Sequence, residues 1–274
     1  MTATTALWKE PDLIAPRITA PSDDNPAHTS AARDHGLPGP IMTGPALLDH
    51  SLAALARRLD SPPVGVVRIR FLRPVPPQQQ LMLRFTTPAS PSADPDHSIP
   101  QPSWEIVADE GTAFVAGAAV LTAPVEAPQP VVRGRGARLL VGGGGVEDLA
   151  TRSRDVRQRH HTYWLPEELV DPGFYVEDTI LRVREAISFE GPTLQPGIEL
   201  TLVRHVATGT ALEFTAHVVG LGTWRRGLSV EYRAVFRTST THELVAAVSS
   251  AALEVRPEIP QADAHPVVPQ SEGN

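Results

Sequence analysis

The stretch SDDNPAHTSAARDHGLPGPIMTGPALLDHSLAALARRLD, residues 22–60, changes character near its midpoint. Turn-forming Asn, Pro and Gly dominate its first half, whereas leucines recur in its second half at positions 48, 52, 55 and 59. Steps of four, three and four residues place these leucines on one face of an α-helix. Pro45 suits the first turn of that helix, and Pro62-Pro63 marks its end. The stretch therefore predicts a polar turn that leads into a buried helix.

The turn contains the pattern Asp-x-Asn-Pro-x-His, formed by Asp23, Asn25, Pro26 and His28. Because Asn-Pro favours a tight turn, the carboxylate of Asp23 and the imidazole of His28 can point at one spot and share a water. Such a pair can act as general acid and base, one group taking a proton while the other supplies one. Asn25 can hold the turn or orient one of the two groups. The same letters also occur in surface turns and helix caps, so these residues alone leave both interpretations open.

The residues that follow this turn make the pattern more specific. Together they resemble the MaoC-like family of (R)-specific enoyl-thioester hydratases and dehydratases, which have the hotdog fold. After the D-x-N-P-x-H pattern, that family has an Ala-x-x-x-Gly and then a G-P-I-x-H-G turn before its central helix. The matching residues here are Ala32 and Gly36, then Gly39, Pro40, Ile41 and Gly44, with Thr43 at the position of the family's histidine. RFLRPV at 70–75 resembles the strand that commonly follows, so the resemblance covers about residues 22–85.

The resemblance implies an α+β double hotdog and a lyase that adds water to an enoyl thioester or removes it. Asp23 and His28 would hold the water, with Asn25 in support. The backbone amide of Gly44, at the start of the helix, would polarise the thioester carbonyl, as helix N-termini stabilise negative charge. The expected substrate-binding residues are Ile41, Met42 and Thr43. No metal ion and no organic cofactor are expected.

Alternating and β-branched patterns predict antiparallel strands on both sides of a Gly- and Pro-rich connector. The expected strands are 64–75, 80–88, a hairpin at 103–123, 180–189, 198–206, 211–220, 228–237 and 243–255. We therefore expect an N-terminal hotdog with the motif (1–125), a linker (126–155), a second hotdog that is not catalytic (156–257) and a disordered tail (258–274). The run Gly142–Gly145 is interpreted as a flexible hinge, because no Gly-Lys-Ser/Thr follows it. A weak similarity between 71–83 and 189–202 suggests that the two halves repeat one design.

The amino-acid composition excludes or disfavours several kinds of catalysis and of binding partner. The 274 residues include no cysteine, which excludes a thiolate nucleophile, and Lys9 is the only lysine, which argues against Schiff-base chemistry. A formal net charge of -7 argues against nucleic acid as the main partner. No apolar run approaches the length of a membrane helix, and no secretory signal pattern is present. We expect a cytoplasmic protein, monomer or homodimer, whose partner is an acyl thioester of coenzyme A or acyl carrier protein.

Other functions stay open on the sequence. A cyclase or isomerase of a polyketide-like intermediate could use the same Asp23–His28 pair, and a non-catalytic hotdog partner subunit could share the fold. A hotdog thioesterase is a weaker alternative. The neighbouring His160 and His161 point in different directions on a helix or strand, which argues against a shared metal ion and leaves a substrate-lining role as an alternative. The basic turn TWRRG at 223–227 is interpreted as a solvated hairpin tip, with contact to a coenzyme A phosphate as the alternative.

Overall fold

The computed structural model describes residues 7–9, 13–14, 25–76, 80–86, 102–108, 110–121, 138–225 and 227–256. Within these residues the first half of the chain forms β1 (Leu7–Lys9), β2 (Leu13–Ile14), two short 3₁₀ helices (Pro26–His28 and Ser30–His35), α1 (Gly44–Leu59), β3 (Gly65–Phe71), β4 (Gln80–Thr86), β5 (Ser103–Val107) and β6 (Ala113–Leu121). The second half forms β7 (Arg138–Gly145), α2 (Leu149–His160), α3 (Pro172–Ala186), β8 (Thr193–Leu194), β9 (Gly197–Leu202), β10 (Leu212–Trp224), β11 (Gly227–Thr238) and β12 (Leu244–Glu254). None of the helices in these ranges is long and apolar enough to cross a membrane.

The strands form one antiparallel sheet in the order β1-β4-β5-β6-β3-β9-β12-β11-β10-β7. Followed from each outer edge towards the centre, the two halves of the sheet have the same arrangement. The first half is β1-β4-β5-β6-β3, and the second half is β7-β10-β11-β12-β9. The halves meet where β3 pairs with β9, with Val67 opposite Leu200. In the first half α1 lies along the chain between β1 and β3, and in the second half α2 and α3 lie between β7 and β9. This is the double-hotdog, α+β architecture, and the predicted fold class is confirmed.

Helix α1 forms where the leucine spacing predicts it. Thr43 caps its first turn through Oγ1, and the helix ends at Asp60, whose φ of 53° lies in the left-handed region. The side chains of Leu48, Leu52 and Leu55 are fully buried. The indole Nε1 of Trp104 in β5 donates to Ser51 Oγ at 3.1 Å, which ties this helix to the sheet. The helix is therefore fixed by a buried apolar face and by one polar bond to the strand beneath it.

The predicted strand at 180–189 is wrong, because these residues continue α3 as far as Ala186. The run ILRV at 180–183 has strand-like residues, but Phe174, Tyr175 and Val183 are buried at helical spacing against the second half of the sheet. Asp171 caps the helix and Pro172 occupies its first position, which is a helix-start signal that the sequence contains. Burial against the sheet overrides the local strand preference.

Part of the predicted linker is also structured. Residues 138–145 form β7, and Gly144 and Gly145 pair with Phe214 and Glu213 of β10, so the glycine run is a strand and not a hinge. The remaining linker residues that precede β7, and the tail at 258–274, lie outside the described residues. Strands β3 and β9 occupy equivalent places in the two halves. The segment 71–83 follows β3, whereas the segment 189–202 leads into β9, so the similarity between these segments does not reflect the structural repeat.

Gly117 of β6 offers a test of this packing. A Cβ at this position would overlap the indole ring of its cross-strand partner Trp104. Because that ring is fully buried and bonded to Ser51, it has no room to move. We expect Gly117→Ala to lower the free energy of unfolding by about 1–3 kcal/mol, as overpacked cores do. Urea unfolding of Gly145→Ala, where a Cβ meets nothing within 4 Å, is the control. Equal midpoints for the two variants would contradict the packing.

Candidate active site

A cavity of about 480 Å³ lies between the two halves of the molecule. One wall comes from the first half, namely the motif turn, the start of α1 and the end of β3. The facing wall comes from α3 and from the segment around β8, residues 193–196. Cavities of this size at a junction of structural units are the usual position of small-molecule sites.

His28 ends the first 3₁₀ helix and lines this cavity. Its Nδ1 lies 2.9 Å from the carbonyl oxygen of Ile41, which can only accept, so Nδ1 carries the proton of the neutral ring. Nε2 then carries the lone pair and lies 3.4 Å from Nδ2 of Asn25. The Ile41 amide donates in turn to the carbonyl of Ala27 at 3.0 Å. The motif turn and the residues before α1 therefore hold the imidazole in one tautomer, with the basic nitrogen beside the Asn25 amide.

Asn25 connects the motif to the second half of the chain. It is 3% exposed, and its Nδ2 donates to the carbonyl of Thr193 at 2.9 Å. Its Oδ1 accepts from the Thr193 amide at 3.0 Å and from the Ala27 amide at 3.2 Å. The side chain therefore pairs with β8 in the way a neighbouring strand would. Asn25 therefore joins the motif turn to the second half at the wall of the cavity.

Asp23 lies outside the described residues. Its partnership with His28 stays a prediction from the sequence.

Gly44 begins α1 at the wall of the cavity. In the first turn Pro45 has no N–H, and the Ala46 N–H donates to Thr43 Oγ1 at 3.4 Å, which leaves the Gly44 N–H as the remaining donor at the helix start. A Cβ on Gly44 would lie 2.7 Å from Oε1 of Gln195 and 2.9 Å from Cζ of Phe71. Glycine is therefore required here by close packing.

The three predicted substrate-binding residues also line the cavity. Ile41 and Met42 are buried, Thr43 is half-buried, and the Met42 amide donates to the carbonyl of Val75 at 2.8 Å. The structure thus brings together every predicted site residue that it describes. Which of them contact a substrate stays a prediction.

The sequence analysis missed a polar cluster in the same cavity, formed by Arg159, His160 and Glu177. His160 Nε2 lies 3.1 Å from Glu177 Oε2, and its Nδ1 pairs with Asp49 of α1. Arg159 pairs with Glu177. Burial by itself would lower the pKa of His160, but the Asp49 and Glu177 carboxylates outweigh it and raise the pKa to about 9. His160 is therefore an imidazolium at neutral pH that donates both of its N–H groups.

Asp49 is fully buried and faces a second carboxyl group, that of Asp171 at the start of α3. Burial, followed by the charge of Asp49, raises the pKa of Asp171 well above its ordinary value. Gly173 allows this approach, since a Cβ there would overlap the Asp49 carboxylate. The only early sign of this cluster was the adjacent pair His160-His161, of which His161 is exposed.

Basic residues stand where the cavity opens. Arg73 and Arg225 line it and are exposed, and Trp224 lines it beside them. The guanidinium of Arg225 lies 4.8 Å from the centre of the Trp224 ring. The hairpin tip predicted at 223–227 therefore stands at the mouth of the cavity, with Arg226 outside the described residues.

The raised pKa of His160 predicts a pH-dependent stability. A histidine whose pKa is higher in the folded protein contributes stability that is complete below its ordinary value of 6.5 and is lost as the pH rises towards about 9. We therefore expect the free energy of unfolding of the wild type to fall as the pH rises through this window. The fall should be larger than in His160→Gln by on the order of 2 kcal/mol.

Denaturant titrations at several pH values measure this difference. His161→Gln, which changes the adjacent exposed histidine, is the matched control and should keep the wild-type pH profile. Identical pH profiles for the wild type and His160→Gln would contradict the assignment of His160 as a buried imidazolium.

No family model matches the sequence, and no curated protein is significantly similar to it. Several solved structures nevertheless share its fold along almost the whole chain. A MaoC-like dehydratase has a TM-score of 0.60 at 11% identity, and the match covers 93% of this chain and 99% of that one. A Mycobacterium tuberculosis protein described as a double hotdog has a TM-score of 0.56 at 13% identity, with 92% and 97% covered. A Lactobacillus plantarum protein named an oleoyl thioesterase has a TM-score of 0.53 at 10% identity, with 93% and 99% covered. At these identities the likeness establishes a double-hotdog fold and no more.

Proposed function

We propose that this protein catalyses the hydration of a 2-enoyl thioester to an (R)-3-hydroxyacyl thioester, or the reverse dehydration. The observation that carries the proposal is that His28 and Gly44, the first residue of α1, line one cavity, with the imidazole held through Nδ1. A base and a helix N-terminus in one cavity are what this reaction requires. The fold shared with a protein named a MaoC-like dehydratase supports the same choice.

The chemistry follows from the roles of these groups. Nε2 of His28 takes a proton from a water molecule, whose oxygen bonds to C3 of the enoyl chain. The electrons of the C2–C3 double bond move towards the thioester carbonyl, and the Gly44 N–H stabilises the negative charge on its oxygen. The proton taken up by His28 then passes to C2 through the Asp23–His28 pair, so that both groups return to their starting state and one water is added in total. The reverse sequence releases water from the hydroxyacyl thioester.

The mouth of the cavity fits a thioester carried on a phosphate-containing arm. Arg73 and Arg225 are exposed cations at the opening, and guanidinium groups bind phosphate with two parallel hydrogen bonds. The indole of Trp224 offers an apolar surface beside them. Coenzyme A and the phosphopantetheine arm of acyl carrier protein both present phosphate in this way.

We expect His28→Ala and Asp23→Asn each to lower kcat for enoyl-thioester hydration by about 10²- to 10⁴-fold, because each removes one partner of the acid/base pair. Loss of the conjugated absorbance with crotonyl-CoA and longer enoyl-CoAs measures the rate. Wild-type activity in both variants would contradict the proposal.

A parallel assay for free thiol separates hydration from hydrolysis. Release of coenzyme A without hydration would instead indicate a thioesterase. If the folded protein acts on none of these simple enoyl-CoAs, the cyclase, isomerase and partner-subunit alternatives replace the proposed hydration. Product analysis with unsaturated and hydroxylated carrier-bound chains then distinguishes the first two from the third.

Gly44 gives a second prediction. The Cβ of Gly44→Ala would lie 2.7 Å from the Gln195 side chain, so the helix start or Gln195 must shift. We expect kcat/KM to fall by about 10²-fold, because a displacement of about 1 Å at an oxyanion donor has effects of this size. Gly39→Ala, in the same turn, is the control, since its Cβ would meet only Arg33 Nε at 3.8 Å. Equal activity of the two variants would remove Gly44 from the site.

A further inference from the structure

The cavity has a charged end that the proposed hydration does not use. Glu177, His160 and Arg159 line it there, whereas the lining along α3 next to them is apolar, with Ile180 and Leu181. Burying charged groups is costly unless they are paired, and these are paired with each other and with Asp49. A cavity for a purely hydrocarbon chain has no need of such a cluster on its wall.

The charged end of the cavity and the motif turn lie at different positions along helix α3. Arg184 Nη1 donates to Thr193 Oγ1 at 2.7 Å, and Thr193 is the residue that Asn25 binds beside His28. Glu177 lies seven residues earlier on α3, which at 1.5 Å per residue is roughly 10 Å along the helix axis. Ile180 and Leu181 line the cavity between these two points. An acyl chain that starts at the motif and follows α3 therefore reaches Glu177.

The hydrogen bonds within the cluster determine which group can meet a ligand. Both N–H groups of His160 are used, on Asp49 and on Glu177. Glu177 accepts from His160 through Oε2 and from Arg159 through Oε1. A carboxylate oxygen has two lone pairs, so Glu177 can accept further bonds from a ligand. Arg159 is 26% exposed at its side chain, and guanidinium has five N–H donors.

The charges of the cluster balance. Asp49 and Glu177 are matched by His160 and Arg159, and a charged ligand would disturb that balance. A neutral group that both donates and accepts fits best, because it can donate to Glu177 and accept from Arg159. A hydroxyl group has this property.

We propose that the substrate is an acyl thioester whose chain carries a hydroxyl group roughly 10 Å from the reacting carbons, bound by Glu177 and Arg159. The inference rests on the proposed function to the extent that an acyl thioester occupies the cavity with its carbonyl at Gly44. It makes Glu177 a specificity-determining residue. An oxygenated chain of this kind is more polar than an ordinary fatty acyl chain of the same length.

The test measures binding, which needs no turnover. Titration calorimetry compares decanoyl-CoA with 10-hydroxydecanoyl-CoA, two saturated thioesters that differ only in the terminal hydroxyl. We expect the wild type to bind the hydroxylated chain about tenfold more tightly, as for a hydrogen bond to a charged group. In Glu177→Gln the ratio should fall close to one. Glu185→Gln, the same change at an exposed position of α3, should keep the wild-type ratio.

The outcomes separate this inference from the proposed hydration. Equal affinity of the wild type for the two chains, a preference for the alkyl chain, or binding of neither would overturn the inference, even if Glu177→Gln fails to fold. A preference that survives in Glu177→Gln would also overturn it. Hydration of the corresponding 2-enoyl thioesters is measured separately. A wild type that prefers the hydroxylated chain but hydrates neither substrate would leave the inference standing and disprove the proposed hydration.

Discussion

The antiparallel pairing of β3 with β9 is the contact on which the rest of the molecule depends. It runs from Gly65 opposite Leu202 to Arg70 opposite Gly197 and joins two equal half-sheets into one. Because the pairing fixes the position of one half against the other, it brings α1 next to α3 and the motif turn next to β8. The cavity is the space left between these elements, so it exists only once both halves have folded and paired.

The two halves share a sheet order but differ in what precedes their central helices. In the first half the chain forms the 3₁₀ turn that carries Asn25 and His28. In the second half the equivalent connection contains α2, whose Arg157 donates to the carbonyls of Leu165, Pro166 and Leu169. A guanidinium engaged in this way braces a loop and has little capacity left for a ligand. The second half thereby contributes a wall of the cavity through α3, and the cluster through both α2 and α3.

Charged and polar groups also join the three helices. Asp49 of α1, His160 of α2 and Asp171 of α3 meet in the interior, where burial and the charge of Asp49 raise the pKa of Asp171. Glycine at position 173 is what permits the contact, because the Asp49 carboxylate occupies the space of a side chain there. The same contacts continue through Glu177 to the cavity wall. These groups therefore connect the helices and also make that part of the cavity polar.

The sequence by itself determined the elements whose signal is local. The leucine spacing and Pro45 predict α1, alternating and β-branched patterns predict the eight strands β3–β6 and β9–β12, and the motif predicts that His28 and Gly44 belong to one site. The sequence analysis failed for α3. The run at 180–183 has strand-like residues, but it belongs to a helix that is buried against the sheet. Only the tertiary structure could bring Asn25 to Thr193, 168 residues away, or His160 to Asp49, 111 residues away. The reason is physical: a periodic pattern records which face of an element is buried, whereas the partner of a buried polar group depends on which elements the sheet pairing places side by side.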